Sequence, residues 1–198
     1  ASKSRGLGDV YKRQKLITLC IVLILPLITK SQAFEQGKSQ VSAGYGFGNF
    51  IQAVFSTYEV YEDFSSSITG PMFVKYEFGV SEKIGFGINF AFASASVSYK
   101  DVIAENQSIN WSTWSGLARI NRHFGSHEKF DPYIGLGVGY RSANWKFSES
   151  DLDVDNNLMP FGFESTLGAR YMFTPNVGLY SEVGIAKAIF QFGLNAKF

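Results

Sequence analysis

The sequence is poor in the residues that mark disulfide-bonded, nucleic-acid-binding or helical membrane proteins. It has one cysteine, Cys20, near its amino terminus, so the mature chain has no internal disulfide and the redox compartment stays open. The 18 Lys and Arg residues nearly balance the 17 Asp and Glu residues, and no basic stripe is present, so we expect no nucleic-acid partner. No apolar run reaches the roughly 20 residues of a spanning helix.

Motifs for catalysis and for metal or cofactor binding are also missing. The sequence has no Gly-rich phosphate loop, zinc-ligand spacing or nucleophile elbow. Its two histidines, His123 and His127, lack a serine two residues away, which is the spacing of lipid A deacylases. The run from Asp151 to Asn157 resembles the opening of a calcium loop, but Asn156 stands where that loop needs glycine. We therefore expect no enzyme, no cofactor, no metal site and an ordinary acidic loop.

Aromatic residues and glycine are abundant instead. The chain has 19 Phe, 10 Tyr and 20 Gly. Aromatic side chains favour strands and membrane interfaces, whereas glycine favours tight turns and closely packed barrel interiors. Two aromatic girdles are predicted at the membrane interfaces. One consists of Tyr99, Trp111, Trp114 and Trp145, and the other of Phe124, Tyr171, Phe173 and Phe198.

The amino-terminal segment is predicted to be absent from the mature fold. Residues 1–14 resemble a translated cloning or sequencing-adapter scar. Residues 15–33 predict a secretory signal peptide, with an apolar run followed by Ser31-Gln32-Ala33 and cleavage after Ala33. A retained membrane anchor is the alternative for this segment. The remaining residues, 34–198, are predicted to form one domain.

Within that domain, eight segments alternate between a largely apolar face and a face rich in glycine and polar residues, and the fourth segment alternates least cleanly. In the third segment, for example, Phe86, Ile88 and Phe90 alternate with Gly87 and Asn89. A period of two residues predicts β-strands with two different faces. The eight segments are Ser39–Phe47, Ile68–Val80, Ile84–Ser96, Trp111–Phe124, Pro132–Ser142, Leu158–Phe173, Val177–Ala186 and Ile189–Phe198.

Eight ionisable residues of these segments lie on the face that is rich in glycine. They are Lys75, Glu77, Arg119, Arg141, Glu164, Arg170, Glu182 and Lys197. A soluble sandwich or barrel would bury its apolar face, but here the repeated Phe and Ile face is predicted to contact lipid. Eight strands enclose an interior just wide enough for side chains to fill. The charged residues are therefore predicted to form a buried ion-pair network rather than to line an open pore.

The lengths of the connections alternate in the same sense. The second, fourth and sixth segments are followed by the short links 81–83, 125–131 and 174–176, whereas the first, third and fifth are followed by the long, polar links 48–67, 97–110 and 143–157. An outer-membrane barrel has short periplasmic turns and long outer loops. Only the last outer link, around Lys187, departs from this pattern.

The carboxyl terminus carries the most specific resemblance. Residues Gly193, Leu194, Ala196 and Phe198 resemble the assembly signal of the small outer-membrane β-barrel family, which includes the outer membrane protein A transmembrane domain and outer membrane protein X. In this signal a final Phe follows alternating residues, and Ala196 stands where an aromatic is common. The resemblance implies insertion into a Gram-negative outer membrane by the barrel assembly machinery. We also expect membrane lipid and lipopolysaccharide as partners and a monomeric state.

The sequence thus predicts an all-β protein, an eight-stranded antiparallel up-and-down transmembrane β-barrel with a filled lumen. Its expected role is structural or surface interaction. Three alternatives remain open from the residues: a narrow ion or solute channel, a lipid A-modifying outer-membrane enzyme, and a soluble ligand-binding barrel.

Overall fold

A computed structural model describes residues 32–48, 64–100, 106–125, 127–147, 153–155 and 160–198. The predicted scar and residues 15–31 of the predicted signal peptide lie outside this part of the chain. The strands are β1 Ser39–Phe47, β2 Ser65–Gly79, β3 Ile84–Lys100, β4 Asn106–His123, β5 Phe130–Phe147, β6 Asp153–Asp155, β7 Phe161–Met172, β8 Val177–Ile185 and β9 Phe190–Lys197. In the described residues no helix is long and apolar enough to cross a membrane.

Eight of the strands form a closed antiparallel ring. Each pairs with its neighbours in the chain, except that β5 pairs with β7, and β1 closes the ring by pairing with β9 from Gln40↔Lys197 to Phe47↔Phe190. The short β6 lies outside the ring and pairs only with β5. Closure gives every strand of the wall two partners, as a spanning sheet requires in lipid. The predicted barrel is confirmed.

The two faces of the wall differ as the alternation predicts. Ile88 is 59% exposed and Leu136 is 46% exposed, whereas Asn89 between the apolar residues of β3 is 2% exposed. Successive side chains of a strand point to opposite faces of the sheet. The apolar residues therefore cover the outside of the barrel, and the polar residues and glycines fill its lumen.

The two ends of the barrel differ in the length of their connections. We call the end that carries residues 80–83, 124–129 and 173–176 the turn end, and the opposite end the loop end. Two of these links are tight hairpins, closed by bonds from Val80 N to Ile84 O (3.0 Å) and from Phe173 N to Val177 O (2.9 Å). Ser39 N donates to Phe198 O (2.9 Å), so the carboxyl terminus also lies at the turn end.

Strands β2 to β5 extend further toward the loop end than the sequence predicts. They have 15, 17, 18 and 18 residues, whereas β1, β8 and β9 have 9, 9 and 8. We call their loop-end portions, residues 65–71, 92–100, 106–114 and 141–147, the outer sheet. The strand β6 adds to its edge at Asn144–Lys146. Part of the predicted acidic loop from Asp151 to Asn157 is therefore a strand, and not a loop.

The inner side of the outer sheet is apolar, which corrects one predicted girdle. Trp111 is 8% exposed and packs with Ala93, Ala95, Val97 and Ile109. Partly buried Phe64, Ile68, Tyr99 and Trp145 pack against this cluster. Only Trp114 of the four predicted residues lies on the outside of the strands as a large exposed aromatic. Trp111 has the same strand parity as the lumen residue Thr113, and parity decides the face.

Candidate functional site

The lumen contains the largest concentration of charged side chains in the described residues, and Arg119 on β4 lies at its centre. Its Nη1 donates to Glu164 Oε1 (2.9 Å), and its Nη2 donates to Glu182 Oε1 (2.8 Å). Lys75 Nζ reaches Glu182 Oε2 at 2.7 Å from the other side. We call Lys75, Arg119, Glu164 and Glu182 the central network. All four are buried, and their two positive and two negative charges cancel.

Neutral side chains complete the bonding of the central network. Lys75 Nζ also donates to Gln191 Oε1 (2.8 Å), and Asn89 Nδ2 donates to Glu164 Oε2 (2.6 Å). Tyr133 OH donates to Glu182 Oε1 at 2.8 Å. A buried ion pair is stable only when its remaining polar atoms also find partners. These bonds explain how charges can lie in a filled lumen.

A second group, at the turn end, consists of Glu77, His123, Asp131 and Arg170, which we call the turn-end network. His123 Nδ1 lies 2.9 Å from Asp131 Oδ1, and His123 Nε2 lies 2.7 Å from Glu77 Oε1. Arg170 bonds to Glu77 and, at 3.4 Å, to Asp131. With Glu77 and Asp131 both ionised, each carboxylate accepts from a ring nitrogen, and a ring that donates from both nitrogens is an imidazolium. In this protonation state the turn-end network is also neutral.

Glycines provide the space that these large side chains occupy. A Cβ atom at Gly135 would overlap the guanidinium of Arg119, and one at Gly168 would overlap the ring of Tyr133. Both glycines lie on the lumen-facing side of their strands. The glycine-rich inner face thus follows from the bulk of the charged and aromatic residues opposite to it.

Residues 32–38, which we call the cap, close the turn end of the lumen. Ala33 and Phe34 are buried, and the ring of Phe34 stacks on His123 with centroids 3.5 Å apart. Ala33 N donates to His127 O (3.1 Å), and Gln40 Nε2 donates to Ala33 O (3.1 Å). The last residue of the predicted signal peptide is thus bonded to the barrel. Cleavage after Ala33 stays a prediction.

The structure brings together most of the charged residues that the sequence predicts for the lumen. Six of the eight lie in the two networks: Lys75, Glu77, Arg119, Glu164, Arg170 and Glu182. Lys197 instead pairs with Glu35 of the cap at 3.2 Å. Arg141 is exposed, and no carboxylate of the described residues pairs with it, so its predicted place in the network is wrong. Arg141 lies on the predicted, lumen-facing side of β5, but its position on this strand is closer to the loop end than the filled part of the lumen.

Sequence reasoning missed His123, Asp131 and Tyr133 as network members. His123 and Tyr133 lie on the inward parity of their strands, so alternation could have found them. Asp131 falls in the predicted link 125–131, whereas β5 already begins at Phe130. Glu35 was missed because the cap precedes the first strand. Among the described residues no group of His, Cys, Asp and Glu is arranged to hold a metal ion.

The predicted assembly signal lies on the last strand of the ring. Leu194 and Phe198 point outward and are exposed, and Gly193 pairs with Gly44 of β1 and with Tyr180 of β8. Ala196 pairs with Val41 and Val177. Residues alternate between the two faces of this strand as the sequence predicts. Recognition of the strand by an assembly machinery stays a prediction.

Replacing Phe34 tests the contribution of the cap. Phe34→Leu keeps an apolar side chain but removes the stacked ring, and we expect it to lower the free energy of unfolding by about 1 kcal/mol. Denaturant titration of the refolded barrel measures this change. Phe198→Leu is the matched control, since Phe198 is exposed at the same end, and it should change the free energy by less than about 0.5 kcal/mol. Equal effects of the two variants would contradict a packed cap.

Solved structures of small outer-membrane barrels resemble this fold. The outer membrane protein OprG from Pseudomonas aeruginosa has 13% identity and a TM-score of 0.46, with 85% of this chain and 99% of that chain covered. Ail, the attachment invasion locus protein of Yersinia pestis, solved with the heparin analogue sucrose octasulfate, has 16% identity and a TM-score of 0.48, with coverage of 83% and 100%. With identities this low and TM-scores below 0.5, these likenesses support no conclusion about this chain.

The comparison with sequence families is more specific. No curated protein sequence matches this chain significantly. Residues 19–198, however, match the family described as the outer membrane protein beta-barrel domain. The match covers all nine strands, including the closing strand β9. The chain therefore belongs to the outer membrane protein beta-barrel domain family.

Proposed function

We propose that the protein is a sealed, non-conducting barrel of a Gram-negative outer membrane with a structural and surface-interaction role. The filled cross-section of the lumen carries this proposal. The central network, the turn-end network and the cap follow one another along the lumen, and all eight charged residues of the two networks are buried. For a pore to open, the charged side chains that are hydrogen-bonded to one another within these two networks would have to separate.

The outer sheet supports a surface role. A transmembrane strand needs about 9–11 residues, and β3 has 17, so a substantial part of it extends beyond the lipid. The backbone of residues 65–69 on β2 pairs with β3, and β1 pairs with β2 only as far as Tyr45↔Met72. The outer sheet would therefore project from the membrane. Lipopolysaccharide would surround its base, and the barrel assembly machinery would insert the protein, as a monomer.

The contacts of His123 in the lumen favour a structural role over catalysis. Both ring nitrogens are hydrogen-bonded to carboxylates and Phe34 covers the ring, so neither nitrogen is open to a substrate. We therefore propose a structural role for it.

Conductance in planar lipid bilayers tests the sealed lumen. We expect the folded wild-type barrel to give no stable ohmic current steps, because the two networks and the cap fill its cross-section. Glu164→Ala, which removes one carboxylate of the central network, should raise the frequency of brief leak events. Stable current steps in the wild type, unchanged by Glu164→Ala, would contradict the proposal.

Cysteine labelling of intact cells tests the orientation. Ser67→Cys lies at the exposed loop end and Lys83→Cys at the exposed turn end. We expect an impermeant maleimide to label position 67 on whole cells and position 83 only after lysis. The reverse pattern would place the outer sheet in the periplasm, and labelling of neither residue on whole cells would exclude surface exposure.

A further inference from the structure

Two cations at the loop end of the lumen, Lys187 and Arg141, have no carboxylate partner in the described residues. This distinguishes them from the other cations of the lumen. Lys75, Arg119, Arg170 and Lys197 each have a carboxylate oxygen within 3.4 Å. Among the described residues, the loop end of the lumen therefore carries two cations that pair with no carboxylate, whereas the networks below it are neutral.

The turn that carries Lys187 holds this side chain toward the lumen. The next residue, Ala188, is 1% exposed and packs against Phe73 and Ala91 on the inner side of β2 and β3. Lys187 Nζ lies 3.0 Å from Thr113 Oγ1, and Thr113 Oγ1 donates its own proton to Ser142 O (2.7 Å). The threonine hydroxyl therefore accepts from the ammonium and fixes its position. No acceptor of the described residues bonds to the other two N–H groups of Lys187.

The electrostatics of Lys187 agree with a cation that lacks a counter-ion. Burial, followed by the positive charge of Arg141, lowers the pKa of Lys187 to about 7. Its described hydrogen-bond partner, Thr113 of β4, carries no charge, and neither do Phe73 of β2 and Ala91 of β3, which pack against the adjacent Ala188. A bound anion would offset both the lost hydration and the repulsion between the two cations.

We infer that Lys187 and Arg141, with Thr113 as the positioning hydroxyl, form a binding site for a phosphate- or sulfate-type oxyanion that enters from the loop end. A guanidinium binds two oxygens of such a group with its planar fork, and an ammonium adds a compact charge. This inference goes beyond the sealed-barrel function and does not depend on it, since the site lies on the loop side of both networks. The short outer link around Lys187 is what brings this lysine to the mouth of the lumen.

Titration with sodium sulfate tests the site in the folded, full-length barrel. The protein is labelled with ¹³C-lysine, which leaves the ammonium groups unmodified, and the lysine Cε signals are followed by NMR in detergent micelles. Lys187→Arg identifies the Lys187 signal by its loss, and exposed Lys83 at the turn end serves as the reference. We expect a saturable shift of the Lys187 signal and none for Lys83. If Lys187 shifts no more than Lys83, the inference is wrong.

The second readout separates binding from general ionic effects. Arg141→Gln should weaken sulfate binding at least about fivefold, because one of two charge-assisted contacts is lost. Arg122 is also exposed but lies at the turn end, and Arg122→Gln should leave the binding constant unchanged. Heat-modifiable migration in detergent gels confirms that both variants are folded. Equal affinities for the two variants would overturn the site.

The pH dependence of sulfate binding provides a further test. Sulfate keeps its charge between pH 6 and 8, whereas Lys187 with a pKa of about 7 loses its proton over that interval. The protonated fraction falls from about 0.9 to about 0.1, so sulfate affinity should fall roughly tenfold. An affinity that stays constant over this range would contradict the assignment to Lys187.

Nanodiscs distinguish a soluble oxyanion from a lipid headgroup. Because Lys187 bonds to a lumen-facing hydroxyl, we expect its signal to move with sulfate in phosphatidylcholine nanodiscs. A shift in sulfate-free nanodiscs containing lipopolysaccharide would identify headgroup phosphate as the ligand at the same site. If the signal moves in neither arm, the site does not exist.

Discussion

Arg119→Met is expected to lower the free energy of unfolding by about 3–5 kcal/mol. Arg119 donates to both Glu164 and Glu182, and it is 4% exposed. Without it, Glu182 keeps Lys75, but Glu164 keeps only the neutral amide of Asn89 among its described partners. An uncompensated buried carboxylate costs far more than the pair contributes, because its hydration is not replaced.

The measurement is reversible unfolding in denaturant with lipid vesicles, followed by tryptophan fluorescence. Arg122→Met is the matched control, since Arg122 lies on the same strand but is exposed beside Phe124 at the turn end. We expect it to change the free energy by less than about 0.5 kcal/mol. The double variant Arg119→Met with Glu164→Gln should recover part of the loss, since it removes the unpaired charge. A loss below about 1 kcal/mol for Arg119→Met would contradict the central network.

Ile88→Arg is the second large effect, and it is expected to cost about 2–4 kcal/mol. Ile88 is exposed on β3, paired with Tyr76 and Ala118 in the membrane-spanning part of the wall. A charge at this depth would lie in hydrocarbon. Ile84→Arg is the control, because Ile84 is exposed at the turn end of the same strand and the expected cost there is about 0–1 kcal/mol.

Both variants replace isoleucine with arginine. The difference between their free energies of unfolding therefore reports the depth of each position in the membrane. Refolding into vesicles and denaturant titration give both free energies. A cost that is equal at the two positions would indicate that the outer face of β3 does not contact a lipid layer.

Strand parity could be predicted from the sequence because the lipid and the lumen impose opposite demands on alternate residues. This is why β1 and β8 were located almost to the residue. The outer sheet was not predicted in full, since its residues outside lipid no longer need an apolar outer face. Ser65, Ser66 and Ser67 on β2, for example, show no contrast between faces, although they form a regular ladder with β3.

The alternation of apolar and polar residues could not predict which lumen residues pair with each other. Parity places Lys75 and Glu182 inside the barrel, but these residues are 107 positions apart, and the shear of the closed ring decides that they meet. The cap was missed for a different reason: its first two described residues, Gln32 and Ala33, lie in the predicted signal peptide. Arg141 shows the converse, since its correct parity did not reveal that no carboxylate of the described residues pairs with it.

Photolabelling of the native barrel tests the central claim most directly, namely that the apolar face meets lipid and the charged face is sealed within. The protein is refolded into vesicles that contain a diazirine phospholipid, and carbene adducts are mapped by mass spectrometry of its peptides. We predict adducts on Ile88, Phe90 and Leu136 and none on Asn89 or Tyr133. Adducts on Asn89 and Tyr133, with Ile88 and Leu136 unlabelled, would contradict the account.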